Sequence, residues 1–356
     1  MCLILITLSS QDPAKRKLMN KAILLLIGAV LWTLRPSGAQ AADTACAGAQ
    51  VLGTPRTIAV GGGVTVGLKT YPQTLDLNDH EVVLTFDDGP SPRTTPRILD
   101  ALAAECVKAT FFLIGQNAAA APALVRREVT DGHTVGHHTW SHPAVTLRGL
   151  SEALALDEID RGMMTDDKAA YGTARDRPRV PFFRFPGFAD TKPLLDDLAK
   201  RNIAVFGADL WASDWIPMTP ETELEHLMDR LGRARRGIIL LHDTKEQTAE
   251  MMPAFLAALR AGGYHVVGLV PGPPGTVLRP APAGWTSETE VVLSHAWPRP
   301  TPHEPARLGG PLRAIRPSPA SMLDHGFVPS VGLPPADDGE ADRGTATTSE
   351  KVKEAE

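Results

Sequence analysis

Between residues 81 and 269 the sequence alternates between short apolar runs, typical of β-strands, and longer amphipathic runs, typical of α-helices. Six helix-like runs separate seven strand-like runs, which are residues 82–86, 110–114, 133–136, 180–183, 203–207, 238–241 and 265–269. Strands that alternate with helices in this way are joined as parallel neighbours through right-handed crossovers. The alternation therefore restricts the fold to the α/β class, as an open doubly wound sheet or as a closed barrel.

Short polar clusters follow the first, third, fourth, fifth and sixth strand-like runs. In a barrel the carboxyl ends of all strands converge on one face, so loops from five strands can build one site. An open sheet places its site at a switch point that fewer loops reach. We therefore predict an irregular (β/α) barrel of about seven parallel strands, forming a single catalytic domain over residues 81–270.

The N-terminus has the pattern of an export signal, which we assign to residues 1–41. A basic segment precedes an apolar run of 13 residues from Ala22 to Leu34, and a small-residue cleavage site follows at 39–41. The apolar run is short for a bilayer span, which favours cleavage over a stable membrane span. A start at Met19 would give an equally compact signal. We expect an exported protein, either periplasmic or secreted.

Two further segments flank the predicted catalytic domain. Residues 42–80 contain two small apolar runs separated by three glycines, and we expect a β-rich lead-in there. Residues 271–356 are rich in proline and end in a charged, apolar-poor stretch from Ala336 to Glu356. Such a stretch buries too little apolar surface to offset its conformational entropy, so we predict a largely disordered tail.

Charge and cysteine content limit the partners and cofactors of the chain. The net charge is −5 and no basic run occurs outside the N-terminus, which argues against a nucleic-acid partner. After signal cleavage only Cys46 and Cys106 remain. They could pair in an oxidising compartment, or a buried Cys106 and a separate Cys46 could stay reduced. Two cysteines do not complete a zinc site, so a metal would use histidine and carboxylate ligands.

Adjacent carboxylates and closely spaced histidines point to a metal. Asp87 and Asp88 end the first strand-like run, and carboxylates this close repel one another unless they share a cation or a proton. Four histidines follow within ten residues, as two pairs spaced by four: His133 with His137, and His138 with His142. That spacing lets two imidazoles reach one ion, and it does not decide which pair binds. One carboxylate, two histidines and an open position for water are typical of a catalytic metal site.

In order, the polar clusters resemble the five motifs of the polysaccharide deacetylase family, which includes chitin, chitooligosaccharide and peptidoglycan N-acetylglucosamine deacetylases. The resemblance covers about residues 77–270. Residues 85–88 resemble the first motif, which implies that Asp87 is the catalytic base and Asp88 a metal ligand. Residues 138–142 are similar to the second motif and imply His138 and His142 as the other ligands. In that loop Trp140 is expected to line the substrate groove.

The third motif is altered in this chain. Residues 184–188 read Arg-Phe-Pro-Gly-Phe, so Gly187 occupies the position of the usual aromatic residue and Phe188 that of the usual glycine. The resemblance implies that Arg184 orients the catalytic base. It also implies that the backbone N–H of Gly187 helps to hold the oxyanion, a contact that glycine can still make. The family's substrate preference does not carry over through this altered motif.

Residues 209–215 and 238–243 resemble the fourth and fifth motifs. The resemblance implies that His242 is the general acid and that Asp214 hydrogen-bonds it, with Asp209 as an alternative partner. Two groove-lining residues are implied as well: Trp215, and Leu240 beside the acetyl methyl group. Trp211 is either a groove residue or part of the core.

Together the motifs imply metal-dependent hydrolysis of the N-acetyl group of N-acetylglucosamine residues in a glycan, with release of acetate. Zn²⁺ is the first expectation for an Asp-His-His site, and Co²⁺, Ni²⁺ or Mn²⁺ are alternatives. Hydrolysis of a small non-sugar amide is a second reading, which the export signal and the aromatic residues disfavour. A catalytically inactive glycan-binding module is a third, which the complete set of motif residues disfavours. Chitin-like glycan, peptidoglycan and exopolysaccharide stay open as substrates.

Overall fold

The computed structural model describes Cys46 and residues 51–296. By internal contacts the chain divides into residues 1–51 and 52–356, and every element below lies in the second unit. The predicted export signal with its alternative start at Met19 lies outside the described residues, and so does the tail beyond residue 296. Cys46 and Cys106 are each disulfide-bonded, so neither is a reduced thiol. Among the described helices, none combines the length and the apolar character needed to cross a membrane.

The described residues form twelve strands and eight helices. The strands are β1 (Arg56–Val60), β2 (Thr65–Val66), β3 (Gln73–Leu75), β4 (Glu81–Asp87), β5 (Thr110–Leu113), β6 (Thr134–His137), β7 (Phe182–Phe183), β8 (Ala204–Phe206), β9 (Leu210–Trp211), β10 (Gly237–His242), β11 (His265–Pro271) and β12 (Leu278–Pro280). The helices are α1 (Thr95–Ala104), α2 (Gly115–Ala120), α3 (Pro122–Thr130), α4 (Glu152–Tyr171), α5 (Lys192–Lys200), α6 (Pro220–Ala234), α7 (Glu246–Ala261) and α8 (Thr289–Ala296).

Ten of the strands form one parallel sheet. Seven of them are successive neighbours in the order β9-β10-β4-β5-β6-β7-β8. The two ends of this row, β8 and β9, are joined by residues 207–209 alone, so they lie within about 14 Å of one another. The predicted α/β architecture of parallel strands is confirmed. Within the described part of the chain, no hydrogen-bonded ladder between β8 and β9 closes the row into a complete barrel.

All seven predicted strands form, but one of them is not part of the row. β11 pairs with the start of β4 and with β1, and β9 takes the seventh place instead. The sequence did not indicate β9 because it is only two residues long and lies inside a polar motif. The domain boundaries at residues 80 and 270 stay predictions. β2 of the predicted lead-in pairs with β8, and β12 of the predicted tail pairs with β3.

Two long helices begin at residues whose side chains cap them, and one of the two ends at a glycine. The Ser151 hydroxyl accepts a hydrogen bond from the Leu154 N–H at the start of α4, and Gly172 ends that helix at φ 78°. Thr219 caps α6 in the same way and is followed by Pro220 at the first helical position. These caps hold the helices that cover the outer face of the sheet.

Side chains alternate between the two faces of β4 and β10, and this alternation places polar groups on the inner face of the row of strands. Every residue of β4 is buried: Val82, Leu84 and Phe86 pack in the outer core with the helices, and Val83 packs in the inner core. Because successive strand residues face opposite sides, Asp87 lies on the same inner side as Val83. In β10 the same period gives Ile238, Leu240 and His242 one face. The parallel register then pairs Asp87 with His242.

Asp209, in the short connection between β8 and β9, binds three segments together. Its Oδ1 accepts the Leu68 N–H at 2.8 Å. Its Oδ2 accepts the Ile238 N–H and the Thr74 hydroxyl, each at 2.8 Å. This carboxylate therefore accepts hydrogen bonds from β10, from β3 and from the segment between β2 and β3.

We expect Asp209→Asn to lower the free energy of unfolding by about 2–3 kcal/mol, because either orientation of the amide leaves one buried backbone N–H facing a donor. Urea unfolding measures this loss. The matched control is Asp76→Asn, since the Asp76 side chain is 51% exposed and pairs with Arg279, and it should cost less than about 1 kcal/mol. Equal stabilities of the two variants would contradict the assignment.

Candidate functional site

A cluster of one carboxylate and two imidazoles lies at the carboxyl ends of β4 and β6. Asp88, His138 and His142 each offer a ligand atom, and these atoms lie within 4.8 Å of one another. The Nε2 atoms of His138 and His142 are 3.6 Å and 3.8 Å from Asp88 Oδ1. An Asp-His-His set at these separations can face a single divalent ion and leave a position open for water.

Hydrogen bonds orient His138 towards this centre. Its Nδ1 lies 2.7 Å from the carbonyl oxygen of Arg184, which can only accept, so Nδ1 carries the proton and Nε2 presents a lone pair to Asp88. Burial lowers the pKa of His138 to about 4, so the ring is neutral at neutral pH. A neutral imidazole with a free Nε2 is the form that binds metals.

Asp88 has the electrostatic state that a cation site needs. Burial by itself would raise its pKa, but the surrounding His142, His242, His138 and Lys245 lower the pKa to about 2. Its Oδ1 is buried and has no hydrogen-bond partner among the described residues. A buried, ionised oxygen without a donor is costly unless a cation lies beside it. The residues present therefore fit a bound divalent metal.

The histidine loop depends on a residue that the motifs did not indicate. Thr139 and His142 have left-handed backbones, with φ of 71° and 50°. Glu158 of α4 stabilises this strained turn: its carboxylate accepts the Ser141 N–H at 2.8 Å and the Ser141 hydroxyl at 2.9 Å. Its backbone carbonyl accepts the Trp140 N–H at 2.8 Å. Nothing in the sequence links Glu158 to this loop, because only the packing of α4 brings it there.

A buried ion pair joins the ends of β4 and β7. Arg184 is fully buried, and its Nη1 donates to Asp87 Oδ1 at 2.7 Å and to the Thr85 hydroxyl at 2.9 Å. The other oxygen of Asp87 lies 3.7 Å from His138 Nε2, next to the candidate metal position. One oxygen of Asp87 is thus held by arginine while the other faces the site.

His242 is bound to Asp214 through two contacts. Asp214 Oδ1 accepts from His242 Nδ1 at 2.7 Å, and Asp214 Oδ2 accepts the His242 backbone N–H at 2.6 Å. Burial by itself would lower the pKa of His242, but Asp214, Asp88 and Asp87 raise the pKa to about 9. The ring is therefore protonated at neutral pH. Asp209, the alternative partner, makes its contacts elsewhere.

Three aromatic rings extend from His242 along one wall. Trp215 meets the His242 ring edge-on at a centroid distance of 6.1 Å, and Trp211 meets Trp215 at 5.8 Å. Phe188 stacks on Trp211 at 6.2 Å. Leu240 packs with the same three rings. The displaced aromatic residue of the third motif therefore still joins this wall, and Gly187 before it has φ 59°.

Other predicted residues lie apart from this cluster. The guanidinium of Arg161 lies 4.6 Å above the Trp140 ring, on the side of α4, so the groove role of Trp140 stays a prediction. His137 is buried and lies 2.8 Å from Asp166, and His133 is buried with its Nδ1 accepting the Ala109 N–H at 3.1 Å. As expected, neither belongs to the candidate metal set.

Comparison with known proteins identifies relatives of this chain. Residues 74–205 match the family model for polysaccharide deacetylase. The chain is 30% identical over 214 residues to a chitooligosaccharide deacetylase from Sinorhizobium fredii. This alignment covers 56% of this chain and 94% of that protein. It is also 30% identical over 186 residues to the peptidoglycan-N-acetylglucosamine deacetylase of Listeria monocytogenes. That alignment covers 52% of this chain and 37% of the Listeria protein. The chain thus spans well under two thirds of the Listeria protein.

Among solved structures, a peptidoglycan deacetylase from Bdellovibrio bacteriovorus is similar with a TM-score of 0.55 and 28% identity. The match covers 68% of this chain and 64% of that one. The family-model match ends at residue 205, before Asp214 and His242.

Glu223 of α6 is fully buried beside this site, and burial, together with Asp214, raises its pKa from 4.5 to about 8. A carboxyl group whose pKa is raised on folding adds to the free energy of unfolding while it is neutral. This contribution is full below about pH 4.5 and is lost as the pH rises through about 8. We therefore expect the contribution of Glu223 to the free energy of unfolding to fall over this interval. Glu223→Gln, which cannot ionise, should reduce that fall.

Urea unfolding at the two ends of this pH interval measures the difference. Glu250→Gln on α7 is the matched control, because the Glu250 side chain is 50% exposed. The control should keep the wild-type pH dependence. A Glu223→Gln variant with an unaltered slope would show that Glu223 is ionised in the folded protein.

Proposed function

The chain belongs to the polysaccharide deacetylase family, and on this premise we propose that it hydrolyses the N-acetyl group of N-acetylglucosamine residues in a glycan and releases acetate. One observation supports the proposal. An aspartate bound by arginine, an Asp-His-His set and a histidine bound by aspartate lie together at one end of the sheet. Asp87 and His242 are paired in register across β4 and β10, and His242 Nε2 lies 4.0 Å from Asp88 Oδ2. A base and an acid that flank a metal position are what amide hydrolysis requires.

Asp88, His138 and His142 would hold the metal, with Zn²⁺ as the first choice and Co²⁺ as an alternative. When bound, the ion would polarise the acetyl carbonyl and lower the pKa of a water molecule. The unpartnered Oδ1 of Asp88 and the free Nε2 of His138 support this ligand set.

Asp87 acts as the general base in this proposal. Arg184 holds Oδ1, so Oδ2 is the atom that takes the proton of the attacking water. The backbone N–H of Gly187 would donate to the oxygen of the tetrahedral intermediate, because no described residue accepts from it.

His242 acts as the general acid. Its Nδ1–H is bonded to Asp214, which leaves the Nε2 proton for the departing amine nitrogen. The pKa of about 9 keeps that proton available at neutral pH. Asp214 stabilises the charged ring and fixes its orientation.

The wall of Phe188, Trp211 and Trp215 favours a sugar substrate over a small non-sugar amide. Sugar rings stack on aromatic faces, and the rings of Trp211 and Trp215 are partly exposed, with Phe188 packed against Trp211. Relatives named as peptidoglycan and chitooligosaccharide deacetylases support a glycan, and an exported enzyme would meet one in the periplasm or outside the cell. The complete set of base, acid and ligands argues against an inactive binding module.

Acetate release from a panel of N-acetylated glycans tests the proposed function. The panel contains chitin oligomers, peptidoglycan and poly-N-acetylglucosamine, each assayed with the protein as purified, after chelation, and after addition of Zn²⁺ or Co²⁺. We expect release from at least one glycan, loss on chelation and recovery with metal. Release that survives complete removal of metal would contradict the metal site. A small N-acetylated non-sugar amide is assayed in parallel, and release from that compound alone would favour the second reading.

Asp87→Asn should lower kcat by about 10²–10⁴-fold, because the amide cannot accept the water proton. Metal content, measured in parallel, should stay unchanged since Asp88, His138 and His142 are retained. Asp196→Asn is the control: Asp196 is 50% exposed on α5 and pairs with Lys192. A normal turnover number in Asp87→Asn would remove Asp87 from the role of base.

A further inference from the structure

The hydrogen bonds of His242 continue beyond Asp214 into the helix layer. Asp214 Oδ2 lies 2.9 Å from the hydroxyl of Thr248, in the first turn of α7. The same hydroxyl lies 3.0 Å from Oε1 of Glu223, in the first turn of α6. Thr248 and Glu223 are fully buried, and Asp214 is 1% exposed. Neither Thr248 nor Glu223 belongs to the five motifs.

The number of protons available to these contacts determines which group donates in each hydrogen bond. The Thr248 hydroxyl has one proton to donate, and an ionised carboxylate can only accept. With both Asp214 and Glu223 ionised, one of the two contacts would join a lone pair to a lone pair. Two buried carboxylates this close to one hydroxyl also repel. Both objections disappear if one of the two carboxyl groups is neutral.

Asp214 is the one that stays ionised. Its two oxygens face the Nδ1–H and backbone N–H of His242 and the Thr248 hydroxyl, which are all donors. Glu223 has only the hydroxyl at Oε1, and its Oε2 has no partner within the described residues. Glu223 therefore carries the proton, donates to Thr248 Oγ1, and directs the Thr248 proton to Asp214 Oδ2. The raised pKa of Glu223 agrees with this direction.

We propose that Glu223 and Thr248 are positioning residues for the general acid: a neutral Glu223 and the Thr248 hydroxyl hold the Asp214 carboxylate so that it keeps His242 in its productive orientation. The inference rests on the proposed function, in which His242 protonates the leaving amine. It adds two residues from the first turns of α6 and α7 to the machinery of that step.

The predicted effect is on turnover rather than on substrate binding. Thr248→Val keeps the shape of the side chain and removes its donor, and we expect kcat to fall by about 10- to 100-fold with an unchanged KM. Thr248→Ser should recover most of the activity. Glu223→Met should lose activity to a similar extent, whereas Glu223→Gln, whose amide N–H can still donate to Thr248, should keep most of it.

A matched control separates this effect from general damage to the core. Thr110 of β5 is 1% exposed, and its hydroxyl has no partner in the described part of the chain. Thr110→Val makes the same substitution at an equally buried position and should leave kcat unchanged. A second test uses the His242→Ala background, where Thr248→Val should have no further effect because the group that it positions is absent.

The experiment also includes a measurement that needs no substrate. The Nδ1–H proton of His242, assigned by its loss in His242→Ala, gives an NMR signal that reports the bond to Asp214. In Thr248→Val we expect this signal to shift and broaden, and in Thr110→Val to stay as in the wild type. If Thr248→Val leaves the signal and kcat unchanged, or lowers kcat equally in the His242→Ala background, the inference is wrong. If the wild type releases no acetate but the signal responds, the proposed function fails and the positioning contact stands.

Discussion

The site depends on one buried ion pair, between Arg184 and Asp87. A fully buried guanidinium is tolerated only when its donors are matched, and here each of its three nitrogens has an acceptor. Nη1 binds Asp87 and Thr85, Nε binds the Phe206 carbonyl at 3.3 Å, and Nη2 binds the Gly207 carbonyl at 2.8 Å. Its plane also lies 4.4 Å from the Phe112 ring centroid. Because these partners belong to β4, β5 and the end of β8, one side chain links the strands around Asp87.

Some carboxyl groups around the site are ionised and others are neutral. The residues that surround each group determine its protonation state. Asp88 is ionised because histidines and Lys245 surround it, although burial opposes the charge. Glu223 is neutral because burial and Asp214 both oppose its charge. Asp243, next to His242 in sequence, is also shifted by burial, to a pKa of about 7. Carboxyl groups in one fold can therefore be ionised or neutral according to the residues that surround them.

The altered third motif shows how a local departure in sequence can preserve a surface. Gly187 removes an aromatic ring from its usual place, yet Phe188 lies against Trp211 one position later. The left-handed backbone at Gly187 and Phe188, with φ of 59° and 58°, turns the second residue towards the wall. The ring therefore reaches this wall from the Cα of residue 188 rather than from that of residue 187.

The sequence by itself determined the α/β class, the seven strand runs and the cluster of motif residues, because periodicity and short motifs are local properties of the chain. Tertiary structure decided that β9 rather than β11 joins the row, since a two-residue strand exists only through its partner β10. It decided between Asp214 and Asp209 as the partner of His242, because both lie in one motif and only packing separates them. Glu158, Thr248 and Glu223 reach the site from helices, 17 to 34 residues from the groups that they bind. Such contacts depend on the packing of helices against the sheet, which no local pattern records.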